Sequence, residues 1–399
     1  DLILLGAICF IVFVLGRGGI RTSIEESYAK YKVAGWLEEM LRHPLSFKMN
    51  GGPDLALERA DSLARNYVDA RRAHFRVVFR QIFFTLLLQS GASAALLGLG
   101  GWLVITRGLT VGQLVAAELI LTMIVGAVVK FGKSFESYYD LMAGVDKLGH
   151  LIDLPLDRDG GEVHRPQQGA EPASLIVHQL CFEYAETHQR VIENLSFEIR
   201  PGERVAMIGP HGSGKSTLVD LLYGLRDPVA GYLALDGVDY RDIDPQSLRA
   251  NVATAKGLEV FEGSVTENVR MGRYQISLSD IREALRRVHL LDEILELPEG
   301  LSTRVLPGGT PLSFGQAKRL MLARAIAVKP RLLIIDEAFD YLHEDVREHL
   351  LRELFKKDVP WTLLVITHSR DVANRCERII RLPKVGATPT QLKAIDTAE

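Results

Sequence analysis

The sequence predicts two joined parts. An α-helical, membrane-type region fills residues 1–149, and an α/β domain with a parallel sheet fills residues 174–385. Three observations predict this. Residues 82–105 (IFFTLLLQSGASAALLGLGGWLVI) hold 24 residues without a charge. ERVAMIG (203–209) reads as a strand that runs through a glycine-rich turn into a helix-like LVDLLYGL. RLLIIDE (331–337) reads as a buried parallel strand that ends on two acids. A length of 399 residues suits two or three domains. With 47% apolar and 24% charged residues, a disordered, collagen-like or small disulfide-bonded chain is excluded. A net charge of −3 gives no whole-chain case for nucleic acid as a partner. Cys9, Cys181 and Cys376 are too few and too scattered for a bridge framework or a zinc site.

About 20 apolar residues cross the hydrocarbon core as a helix. Residues 82–105 and 111–131 qualify, the latter with one acid, Glu118. Residues 2–15 are apolar throughout but short, and read as a truncated span. A signal peptide is the competing reading, but no basic n-region or clear cleavage site supports it. Twelve Lys/Arg lie in 17–81 and only Arg107 in 106–110. Basic loops stay inside, so 17–81 and everything after 131 are expected in the cytosol. The odd span count leads to the expectation that further membrane helices precede residue 1 or come from a partner. Glu118 is weighed as a substrate contact, against snorkelling near the outer third of its span. Trp102 and Met123 are read as packing and interface residues.

Segment 17–81 is expected to form a cytosolic helical extension. Glu38–Arg42 and Asp61–Arg65 are i,i+4 pairs with the acid first. Leu63, Tyr67, Ala70, His74 and Val77 share one helical face. HPLSFKMNGGPD (43–54) interrupts the pattern. Two helices are therefore expected to leave the membrane and meet at a tip within 33–54. An ordinary solvated hairpin without a partner is the alternative. Residues 150–173, rich in Pro, Gly and charge, read as a linker.

GPHGSGKST (209–217) fits G-x-x-x-x-G-K-[ST] between a strand and a helix. Glycines at that spacing let backbone N–H groups turn inward as an anion nest. The following helix points its positive end at phosphate. Gly209, Pro210, His211, Gly212, Ser213, Gly214, Lys215, Ser216 and Thr217 are the candidate phosphate-binding residues. Lys215 is expected to reach the β- and γ-phosphates of ATP, and the Ser216 hydroxyl to ligate Mg²⁺. Asp336 is placed to hold Mg²⁺ through water, and Glu337 to polarise the attacking water. A third strand, TLLVITH (362–368), ends on His368, at the carboxyl edge where such sheets bind ligands.

From about 174 to 385 the chain resembles the nucleotide-binding domain of ABC transporters, a P-loop NTPase domain with a helical subdomain. LSFGQAKRLMLARAI (312–326), just before the Asp-Glu strand, is similar to the family signature LSGGQ and its helix. GLRDPVAGYLALDG (224–237) and VFEGSVTENV (260–269) are similar to family text. The resemblance implies that Tyr184 of FEY (182–184) stacks on adenine and that His368 touches the γ-phosphate. It implies that Ser313, Gly315 and Gln316 face the ATP of a second cassette. GLTVGQLVAAELI (108–120) resembles the turn and start of the last membrane helix of exporters with fused domains. The tip within 33–54 resembles a coupling helix. The type I secretion and peptide exporter subgroup is the nearest match.

Three positions depart from the family pattern. Lys256 stands where the family has a glutamine that touches Mg²⁺ and the attacking water. His343 stands at an aspartate position, and Phe314 replaces a signature glycine. Lys256 cannot ligate a metal while charged, but it can contact phosphate.

The expected function is that of an ATP-binding and ATP-hydrolysing exporter subunit. It would be multi-pass in a bacterial inner membrane, with its cassette in the cytoplasm. It would pair with a second half-transporter, identical or not, and move a peptide or protein. The competing reading is a catalytically weakened half acting as a regulatory or structural nucleotide-binding partner. A soluble ATPase without a transport role conflicts with 82–129. The tail is 386–399.

Overall fold

The computed structural model describes residues 6, 9–49, 52–158, 160–163, 171–185, 189–339, 342–383 and 395–396, with the side chains at 12, 125, 127–135 and 395–396 left aside. Residues 2–5, 7 and 8 of the first expected span lie outside the described residues, as does most of the tail. The chain divides into two compact units, Asp1–Leu156 and Asp157–Glu399.

The first unit is helical. A π-helical turn, Phe10–Leu15, leads into α1 (Gly19–Arg42), α2 (Pro44–Lys48), α3 (Gly52–Ile105) and α4 (Val111–Ile152). Contacts between α1 and α3 run antiparallel. Thr22 Oγ1 lies 3.1 Å from His74 Nδ1, Glu26 pairs with Arg71 at 3.2 Å, and Trp36 donates to the Ala56 carbonyl at 3.3 Å. The expected pairs form, Glu38–Arg42 at 2.7 Å and Asp61–Arg65 at 2.5 Å. On α3, Leu63, Tyr67, Ala70, His74 and Val77 are the more enclosed positions, as their spacing predicts. The tip is α2, where Phe47 meets the edge of Trp36 at 5.3 Å and Arg59 lies over the Trp36 ring at 4.5 Å.

Of these helices, α3 is long and apolar enough to cross a membrane, and only 6% of its most apolar stretch is buried. A core helix of a soluble protein would be mostly buried. In α4, Val111–Ile124 is a shorter apolar stretch. Thr110 starts α4 with a reciprocal cap: the Gln113 N–H donates to Thr110 Oγ1 at 3.3 Å, and the Thr110 N–H to Gln113 Oε1 at 2.9 Å. Glu118 is partly enclosed, and its Oε2 has no hydrogen-bond partner among the described residues. Trp102 and Met123, read as packing and interface residues, are 61% and 77% exposed, so they pack little against the described residues.

Among the described residues the second unit holds two large sheets and a short strand pair. Strands β1 (Leu175–Tyr184), β2 (Gln189–Ile199), β4 (Ala230–Leu235) and β5 (Val238–Asp239) form an antiparallel sheet in the order β2-β1-β4-β5. The larger sheet uses β3 (Arg204–Ile208), β6 (Val252–Lys256), β9 (Leu332–Asp336), β10 (Thr362–Ile366), β11 (Arg378–Arg381) and β12 (Ile395–Asp396). Its order is β12-β11-β3-β10-β9-β6, and only β12 is antiparallel to its neighbour. Every residue of β9 and β10 is buried, as continuous apolar runs dictate in a covered parallel sheet. Helix α5 (Lys215–Leu222) follows β3, and α6 (Pro245–Asn251) precedes β6.

Between β6 and β9 lies the helical subdomain: α7 (Val265–Arg270), α8 (Leu278–Arg287), α9 (Leu291–Leu295) and α10 (Phe314–Ala327), with the short strand pair β7 (Gly263–Ser264) and β8 (Arg304–Val305). Helices α11 (Glu344–Leu354) and α12 (Arg370–Asn374) complete the unit. Two large apolar clusters form its core, beside a small one of Ala206, Ala373 and Cys376. One large cluster gathers β1–β4 and α5, and the other gathers α7–α10 with the opposite faces of β9 and β10.

The first residues of the expected linker, 150–173, finish α4, and Asp157 and Glu162 bond to other residues of the second unit. Arg249 pairs with Asp157 at 2.6 Å, and the Glu162 N–H donates to the Asp242 carbonyl at 2.6 Å.

Candidate functional site

In a parallel sheet all carboxyl ends share one edge, and ligands bind outside that edge. The described strands bring four sequence-predicted features there: the glycine loop after β3, Lys256 at the end of β6, Asp336 and Glu337 at the end of β9, and His368 after β10.

The loop wraps around its own lysine. Lys215 is 6% exposed, and its ammonium donates to the Gly209 and Pro210 carbonyls at 2.9 and 3.0 Å. Gly212 and Gly214 have φ of +76° and +84°, a region open to glycine at little cost. A Cβ on Gly214 would also stand 2.9 Å from Val191. Ser213 Oγ is buried without a hydrogen-bond partner among the described residues, a costly state that an anionic oxygen would relieve. His211, Gly212 and Ser216 are exposed at the mouth. The loop residues thus fit a phosphate chain: two left-handed glycines, one buried cation, one orphaned hydroxyl, and a helix N-terminus at α5.

Asp336 is 7% exposed. Burial and then the neighbouring Glu337 carboxylate raise its pKa above the ordinary value, against the pull of Lys256, Lys215 and Lys318. A hard dication would reverse that balance, and carboxylate and hydroxyl oxygens are its usual ligands. Glu337 has a left-handed backbone, φ +52°, uncommon for a side-chain-bearing residue. Its N–H donates to the Ile366 carbonyl at 3.0 Å, which holds the turn against β10. This turn carries the Glu337 carboxylate to 3.1 Å from His368 Nε2. The His368 ring in turn lies 4.7 Å from the ring of His211 in the phosphate loop.

Tyr184 ends β1, yet reaches this site. Its hydroxyl lies 3.0 Å from Thr217 Oγ1, and Phe182 meets its ring edge-on at 5.2 Å. The guanidinium of Arg226 lies over the Tyr184 ring at 4.8 Å.

The signature residues stand apart from this group. Ser313 caps α10: the Gln316 N–H donates to Ser313 Oγ at 3.3 Å, and Gln316 Oε1 accepts from the Ser313 N–H at 2.7 Å. Gln316 also donates to Glu293 at 2.8 Å. Helix α10 packs in the subdomain cluster, whereas α5 packs in the other. Gly315 has room, since an added Cβ would make ordinary contact with Leu342. Phe314 is 49% exposed, with Lys318 Nζ 5.6 Å from its ring. His343 is the N-cap of α11 and makes no side-chain cap.

Two residues escaped the sequence reading. Asp220 accepts from Lys256 Nζ at 2.7 Å and lies 3.7 Å from Arg226. Asp220 falls four residues after Ser216 on α5, so helical spacing alone could have placed it beside the site. Arg226 lies in a quoted motif without an assigned role, and no local spacing announces its contact with Tyr184.

The fold and site define a P-loop nucleotide-binding cassette preceded by long, membrane-type helices. Residues 192–340 match the family described as ABC transporter. The chain is 30% identical over 352 residues to the ATP-dependent lipid A-core flippase of Chromobacterium violaceum, covering 86% of this chain and 59% of that protein. It is 29% identical over 302 residues to a leukotoxin export ATP-binding protein of Aggregatibacter actinomycetemcomitans, covering 75% and 42%. A solved bacterial Atm1-family ABC exporter with ATP bound shares the fold at TM-score 0.81 and 24% identity, over 96% of this chain and 66% of that one. The chain spans about half the length of the curated relatives it matches.

Proposed function

We propose that this chain is the ATP-binding and ATP-hydrolysing part of an ABC exporter in a bacterial inner membrane, with its cassette in the cytoplasm. The observation that carries the reading is the 3.1 Å approach of Glu337 to His368 at the sheet edge that also presents the phosphate loop. Two cassettes would enclose two ATP molecules, each between one phosphate loop and the Ser313–Gln316 segment of a second cassette. The separation of these segments within one chain supports a second cassette. Closure would pass to the membrane helices through the α2 tip. Such coupling requires ATP to bind the closed state more tightly than the open one.

The residues divide the work. Lys215 leaves the Gly209 and Pro210 carbonyls and takes the β- and γ-phosphates. Tyr184 stacks on the base. Ser216 and Asp336 would hold Mg²⁺, which supplies charge neutralisation to the phosphates. Glu337 orients and polarises the attacking water. His368 fixes the Glu337 carboxylate and contacts the terminal phosphate.

Peptide or protein cargo draws support from the similarity to the leukotoxin export protein and to an alpha-hemolysin translocation ATP-binding protein of Escherichia coli, 28% identical over 299 residues. The similarity to a lipid A-core flippase favours a lipid cargo instead. Similarity to export proteins favours the active exporter over a regulatory half. The test is ATP turnover by the purified 399-residue chain and by Glu337→Gln. Turnover above background that the substitution abolishes supports the reading. Equal turnover in both removes Glu337 as the base.

A further inference from the structure

We propose that Lys256 is a built-in phosphate cation, so that this cassette binds ATP with little dependence on a divalent metal. The inference rests on the ATP reading above and concerns how that site neutralises its ligand.

Position comes first. Lys256 is the last residue of β6, in register with Asp336 at the end of β9. Its ammonium donates to the Ser216 carbonyl at 3.3 Å and to Asp220 Oδ1 at 2.7 Å. It therefore lies beside the α5 helix that carries Ser216 and close enough to Asp336 to act on its charge. A cation fixed there repels a dication and attracts a phosphate oxygen.

Charge comes second. Asp220 faces two cations, Lys256 at 2.7 Å and Arg226 at 3.7 Å. Lys256 and Arg226 therefore share one carboxylate, while Asp336 and Glu337 add negative charge on the other side of Lys256. Arg226 is already close enough to keep Asp220 compensated when Lys256 departs. The Lys256 side chain is 35% exposed, on a flexible four-carbon stem that can swing. The same Arg226 lies over Tyr184. The chain Tyr184–Arg226–Asp220–Lys256 thus runs from the base-stacking side of the site to its phosphate side.

The geometry describes an exchange of partners. With ATP present, Lys256 releases Asp220 to Arg226 and takes a phosphate oxygen. A charge-assisted contact of this kind is worth about tenfold or more in affinity.

The experiment is calorimetric titration of the 399-residue chain with ATP, in excess Mg²⁺ and in excess EDTA. The parent should bind in EDTA within about fivefold of its affinity in Mg²⁺, and Lys256→Gln should lose about tenfold or more in EDTA alone. Lys256→Arg should restore most of the EDTA affinity, which separates charge from packing. Matching far-ultraviolet circular dichroism controls for folding. Equal ratios of EDTA to Mg²⁺ affinity in parent and Lys256→Gln overturn the proposal while leaving the ATP site intact. Binding in neither condition overturns both.

Discussion

His368 Nε2 stands 3.1 Å from Glu337 Oε1, and Glu337 reaches that place through a left-handed backbone at φ +52°. Both follow from topology. Glu337 is the first residue beyond β9, His368 the second beyond β10, and those strands are parallel neighbours. Strain at such a position costs energy and persists where the surrounding structure over-determines it. Here the Glu337 N–H is held by the Ile366 carbonyl at 3.0 Å. Glu337→Gln keeps the shape and removes the base. ATP binding should stay within about threefold, and turnover should fall about 100-fold or more. Equilibrium binding alongside a phosphate-release assay checks both halves.

Lys215→Ala should weaken ATP binding by about tenfold or more, since it deletes the buried cation of the loop. The nucleotide-free chain should be affected less, because the hydrogen bonds of Lys215 to described residues run to two loop carbonyls. Binding at parental affinity would remove the phosphate loop as the ATP site.

Much of this site could be read from spacing alone. The phosphate loop is a contiguous motif, and a strand ending in two acids is local as well. The tip at α2 was legible because Pro44 and Gly52 break the helical pattern on either side. What stayed hidden depends on distant pairing. Lys256 meets Asp220 only because β6 pairs with β9 and α5 lies against that edge. Arg226, just after α5, finds Tyr184 at the end of β1 with two strands, the phosphate loop and a helix between them in the chain. The fate of Trp102 and Met123 was equally unreadable, since an apolar residue in a membrane-type helix packs or faces outward according to its neighbours.

Asp336 predicts a pH-dependent stability. Burial raises its folded pKa above the ordinary value of 3.8. For an acid raised on folding, the stabilising contribution is complete below the unfolded pKa. It is lost as pH climbs through the folded value. Asp336→Asn avoids that loss. Without nucleotide and metal, the variant's cassette should melt above the parent's near neutrality, by about 2–4 °C per kcal/mol gained. The gap should shrink as pH falls toward about 4. Thermal melts in metal-free buffer from pH 4 to 7.5 test the sign. A parent that is the more stable at pH 7 contradicts it.

Tyr184 should act through its ring. Tyr184→Ala should weaken ATP binding about tenfold, the usual scale of base–aromatic stacking. Tyr184→Phe loses only the 3.0 Å contact with Thr217, and should cost about threefold or less. If Phe is as damaging as Ala, the hydroxyl and not the ring carries the effect.

Two glycines of α1 should respond in opposite directions. Gly19 is buried at the start of the helix, and a Cβ there would lie 2.4 Å from Tyr139 Cζ. Tyr139 has little freedom to yield. It is 5% exposed, its ring meets His74 at 5.9 Å, and its hydroxyl lies 3.4 Å from Gln81 Oε1. Gly19→Ala must therefore push α1 from α4 or expel the tyrosine, at about 1–3 kcal/mol, the usual cost of overpacking. Gly35 lies on the same helix with nothing within 4 Å of an added Cβ. There alanine only restricts the unfolded chain and favours helix, a gain of about 0.5–1 kcal/mol. Melting of the 399-residue chain in detergent, followed by helical circular dichroism, should place Gly19→Ala below the parent and Gly35→Ala above it. A shift of the same sign in both would mean that the Gly19–Tyr139 contact does not set the spacing of α1 and α4.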